Sequence, residues 1–72
     1  MSAGGNLREQ LAQTDPEYRK LVEEHRARER RLEELKAKGW LTTEEEQEEK
    51  QLKKEKLRLK DQMEALLRKH AT

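Results

Sequence analysis

Two stretches of this chain contain neither glycine nor proline, residues 17–38 and 40–72, and a single glycine, Gly39, parts them. Both are rich in Glu, Lys, Arg, Leu and Gln, which are strong helix formers. Both nearly lack the β-branched and aromatic residues that fill sheets. Such a chain can build long helices joined by a short connection; a mixed α/β enzyme fold is excluded. Charged residues make up 46% of the 72 positions, a level that leads to disorder when one sign dominates. Here 17 Lys/Arg face 16 Asp/Glu, for a net charge of +1. The balance is that of a coiled coil or long helix rather than a disordered tail.

The boundaries follow from local chemistry. Met1–Asn6 has no basic region and no apolar stretch, so it reads as a flexible terminus and not as a signal peptide. Asn6 with Glu9 resembles a capping box, and Leu7 and Leu11 share a face of a short helix over about 7–13. Pro16 suits a first helical position and Asp15 suits the cap before it, so a second helix is expected over 16–38. Gly39 ends it, with Trp40 placed to fold back on Leu35. Thr42 with Glu45, or Thr43 with Glu46, can open the third helix, expected over about 43–70. A connection of three or four residues makes the two long helices an antiparallel hairpin. The expected fold is therefore all-α, one domain over 7–70.

Heptad spacing marks the facing sides. Tyr18, Leu21, His25, Arg28, Leu32 and Leu35 alternate by three and four, as do Leu52, Lys56, Leu59, Met63, Leu66 and His70. With the turn centred near Thr42, the layers pair Leu35 with Glu49, Leu32 with Leu52, Arg28 with Lys56, His25 with Leu59, Leu21 with Met63 and Tyr18 with Leu66. Two apolar zones then flank a cationic middle layer, which Glu24, Glu29 or Glu55 must compensate unless both cations snorkel outward. Glu24–Arg28, Glu34–Lys38, Glu46–Lys50, Glu49–Lys53 and Glu64–Arg68 can each support a helix by ~0.2–0.5 kcal/mol.

Such a seam makes a thin core. Two helices alone enclose little, so the chain is expected to self-associate, most simply as a dimer forming a four-helix arrangement. Its contacts would come from Tyr18, Leu21, His25, Leu32, Leu35, Leu52, Leu59, Met63 and Leu66. The alternative cover is the short helix, through Leu7 and Leu11.

The run from Lys53 to Met63 (KKEKLRLKDQM), together with Asp15-Pro16-Glu17-Tyr18, Leu21, His25 and Leu32, resembles the YdcH-like family of small bacterial proteins of unassigned function. The likeness spans about residues 7 to 68. It implies a helical hairpin or coiled coil and brings no catalytic residues. Arg28 departs from the apolar residue usual in that family.

The chemistry-bearing residues are few. The chain has no cysteine, so disulfides and thiolate-held metals are excluded. His25 reads as a structural histidine bonding a carboxylate across the hairpin, or as a pH-sensitive residue. His70 reads as a residue near the negative helix end. The two lack metal-ligand spacing, and no metal or cofactor is expected. Glu44–Glu49 reads as a solvated face that can pair with Arg30, Arg31 and Lys36. Residues 43–50 carry five acidic groups and one basic, while residues 51–70 carry seven basic and three acidic. Lys50, Lys53, Lys54, Lys56, Arg58 and Lys60 could hold phosphates of a nucleic acid. No aromatic interleaves them, and no apolar run reaches the ~20 residues of a membrane span. Trp40 and Leu41 either seal the hairpin end or contact a partner.

Two readings of function remain. The first is a cytoplasmic, non-enzymatic interaction and oligomerisation module with an unknown protein partner. The second is a small nucleic-acid-associated protein acting through residues 50–60. An enzyme is not expected, since no nucleophile–base pair or phosphate loop can be found.

Overall fold

The computed structural model describes residues 3–71, with side chains from Leu7 onward. It contains α1 (Ala3–Thr14), α2 (Pro16–Ala37) and α3 (Thr43–Ala71). α2 and α3 form an antiparallel hairpin and α1 folds back against it, giving a rod of 45 × 21 × 18 Å.

The expected stops and starts are made by the expected side chains. Asp15 caps α2 in an extended conformation, its Oδ1 accepting from the amides of Glu17 (3.0 Å) and Tyr18 (3.4 Å). Gly39 has φ +80°, the left-handed conformation that lets the chain leave a helix end. Thr42 forms the reciprocal capping box with Glu45. The Thr42 amide donates to Glu45 Oε1 (3.0 Å) and the Glu45 amide to Thr42 Oγ1 (3.1 Å).

α1 differs from expectation. It begins at Ala3, so Asn6 lies inside it and does not cap it; Met1 and Ser2, the rest of the terminus expected to be flexible, lie outside the described residues. A 12-residue helix is marginal alone, and its packing accounts for its persistence. Leu11 is buried with Tyr18 and Leu21 of α2 and Leu59 and Met63 of α3, and Leu7 packs against that cluster. Once a turn is anchored, each further residue adds a hydrogen bond at low cost. Arg19 of α2 closes the other end, its Nε donating to the Ala12 carbonyl (2.8 Å) and its Nη2 to that of Gln13 (2.6 Å). These are the carbonyls a helix leaves unsatisfied.

α1 thus covers the end of the seam that holds Tyr18, Leu21, Leu59 and Met63. Tyr18, Leu21, Leu32, Leu35, Leu59 and Met63 are buried, Leu52 and Leu66 half-buried. The short helix, one of the two covers considered from sequence, packs on this seam through Leu7 and Leu11. Trp40, by contrast, does not fold back: it is 75% exposed while Leu35 is buried at 1%. Leu35 is covered without it, and nothing holds the indole down.

Candidate interaction surface

The polar middle layer sits where the register expects it. Arg28 Nε donates to Glu55 Oε1 of α3 (2.8 Å) and Nη1 to the Glu24 carbonyl (3.1 Å). Lys56, its expected opposite number, turns instead to Glu29 of α2 (3.3 Å). The two cations avoid each other because each takes a carboxylate from the facing helix. Glu55 also accepts from Gln51 Nε2 (3.0 Å). Nearer the turn, Arg31 makes a two-pronged contact with Glu48 (2.8 and 3.0 Å), the geometry in which guanidinium and carboxylate bind best. Lys38 crosses the turn to Glu45 rather than pairing with Glu34, which Arg31 holds at 3.1 Å. Of the expected helix-supporting pairs, Glu24–Arg28 and Glu49–Lys53 stand at 4.0 Å. Glu44–Glu49 engages Arg31 and Lys38 of α2; Arg30 and Lys36 are not used.

These contacts fix the carboxylates as anions. Hydrogen bonds from Lys38 and then from the Thr42 amide lower Glu45 below its ordinary value. The Arg31 hydrogen bond does so for Glu48, and those of Gln51 and Arg28 for Glu55. The same bonds, from Glu48 first and Glu34 second, raise the Arg31 guanidinium further. A carboxylate with a depressed folded value contributes stability above its unfolded value and loses it as pH falls through the folded one. The thermal midpoint, followed by circular dichroism, should therefore stay level from pH 7 to about 5 and fall below about pH 4.5. All these groups are solvent-accessible, so added salt should shrink the drop. An unchanged or higher midpoint at pH 3 would show that the cross-hairpin pairs contribute nothing.

Both histidines lie near carboxylates, His25 not near one across the hairpin as expected. His25 Nδ1 is 3.9 Å from Glu29 on its own helix, not across the hairpin. The α3 side chains that reach its side of the seam are lysines, so the carboxylate has to come from α2. His70 Nε2 is 3.4 Å from Asp15 Oδ2. This sets the last turn of α3 beside the cap of α2, a proximity no spacing rule reveals because 55 positions separate the two residues.

The basic run of α3 does not form one stripe. Lys53, Lys56 and Lys60 line a shallow groove of about 260 Å³ with His25, Leu32 and Lys36 of α2 and with Leu57. Arg58 lies on the other flank beside Glu24, Arg28 and Glu55. Lys50 and Lys54 are exposed on α3 without a carboxylate within 4 Å. Leu57 is 60% exposed, and it and Trp40 are the large apolar side chains left open to solvent among the described residues. No group of three metal-binding side chains occurs among these residues, and no helix is long and apolar enough to cross a membrane.

No curated protein and no solved structure matches the chain. A family model, "Protein of unknown function (DUF465)", matches residues 19–67. That segment takes in α2 from Arg19, the turn and α3 as far as Leu67, and with it the polar middle layer and the whole basic run. It agrees with the YdcH-like pattern of the two long helices, and the chain accordingly belongs to this family of unknown function.

Proposed function

We propose that this chain is a small non-enzymatic protein-interaction module that self-associates, most simply as a dimer of hairpins. The observation that carries this reading is the placement of Trp40 and Leu57. Most of the apolar seam residues are buried inside the chain, yet these two large side chains stand open to water on its outside. Aromatic side chains of this kind are common anchors in interfaces. The seam therefore holds the fold, and the partner surface lies on the outer faces. A cytoplasmic location belongs to the same proposal.

The test is solution mass by light scattering across a concentration series, with helix content followed in parallel. A dimer at micromolar concentration that dissociates on dilution is expected. A monomer at every concentration would end the self-association reading.

A second reading, nucleic-acid binding, draws on Lys50, Lys54 and Lys60, which are exposed and unpaired. Phosphate binding through them would weaken steeply with salt. Absence of duplex DNA or RNA binding at about 50 mM salt would remove it.

A further inference from the structure

α3 carries a second heptad row on an exposed flank beside the seam, where Lys53, Leu57 and Lys60 border the groove with α2. Thr43, Glu46, Lys50, Lys53, Leu57 and Lys60 alternate by three and four, and all six are exposed. Among the described residues Glu46, Lys50 and Lys60 have no charged partner within 4 Å, and Lys53 reaches Glu49 at only 4.0 Å. Glu46 precedes Lys50 in the row, so these two central positions are complementary to each other when the row is reversed. The next position of the row, four residues before Thr43, falls on Gly39, and Trp40 stands beside it at the turn.

We propose that this row is the self-association surface, and that its occupant is the same row of a second copy running antiparallel. The inference rests on the self-association reading above and names its face. In a two-fold antiparallel pairing of heptad rows, alternate positions meet in layers. Glu46 of each copy then opposes Lys50 of the other, and Thr43 opposes Lys53. The next layer brings the turn at Gly39–Trp40 of one copy onto Leu57 of the other. There the indole covers the exposed leucine inside a rim of Lys36, Lys53 and Lys60, and ammonium groups favour an indole face. Each apolar and charged contact occurs twice by symmetry. Parallel pairing would instead set Glu46 on Glu46 and Lys50 on Lys50.

Charge reversal with mixing tests it on the full chain. Glu46→Lys and Lys50→Glu each place like charges in both central layers, and each should weaken the dimer about tenfold. Helix content must stay unchanged, since both side chains are exposed. A one-to-one mixture of the two variants restores a Glu–Lys pair in both central layers, and it should return to wild-type affinity as a heterodimer. Trp40→Ala should weaken association by about tenfold or more. A dimer indifferent to the single reversals, or a mixture that fails to recover, overturns this face while leaving self-association in place. A wild-type chain that stays monomeric overturns both. Loss of nucleic-acid binding on Lys50→Glu with the dimer left intact assigns the row to phosphates instead.

Discussion

Leu35→Ala should cost about 2–5 kcal/mol, the range for truncating a fully enclosed leucine whose surroundings cannot collapse. Leu35 is the most deeply buried side chain, at 1% exposure. It lies near the end of α2, where the Lys38 amide returns to its carbonyl at 3.2 Å. The turn follows at once, and the backbone there is fixed by Gly39 and the Thr42–Glu45 box. Little movement is open to fill the space. A domain of this size is stable by roughly 4–11 kcal/mol in all, so the change removes a large fraction. Urea unfolding followed by circular dichroism measures it. A loss below about 1 kcal/mol would mean that the turn end is loosely packed and that the core near α1 holds the hairpin alone.

Leu11→Ala is the second large effect, also about 2–5 kcal/mol if α1 unfolds together with the hairpin. Leu11 is 5% exposed and touches a cluster drawn from α2 and α3. α1 is too short to persist unaided, so the loss should show twice: in the global transition, and in faster hydrogen exchange of the α1 amides. Faster exchange in α1 with an unchanged global transition would make α1 a detachable cover. In that case Leu21 and Met63 would be intermittently open, and the seam itself would become available to a partner.

Most of the fold was legible because its signals are local. Asp15, Gly39, Thr42 and Glu45 act within four residues of themselves, and each acts as its type predicts. The seam was legible because heptad spacing is a property of sequence. The register followed from the turn, and the Arg28–Glu55 and Glu29–Lys56 contacts fall where that register puts the middle layer. Less was legible in the charges. Lys38 had Glu34 one turn back and Glu45 across the turn, and spacing alone could not rank them. His25 and the lysines beside it, and the pairing of His70 with Asp15, depend on where two distant helices end up. The start of α1 was missed because its stability comes from a docking site made by other helices.

The candidate surface shows the same division. The basic run was plain as a composition, but α3 turns about 100° per residue and scatters it around the helix. Lys53, Lys56 and Lys60 reach one groove, Arg58 the opposite flank, and Lys50 and Lys54 solvent. Sequence by itself determined three helices, the caps of α2 and α3 and the register between those two, because backbone hydrogen bonding, capping and apolar periodicity act over one or two turns. Tertiary structure alone decided that α1 covers one end of the seam, which carboxylate each cation takes, and that Trp40 and Leu57 stay outside. Those outcomes depend on which surfaces meet in space, and in a chain with 33 charged residues many pairings satisfy the same local rules.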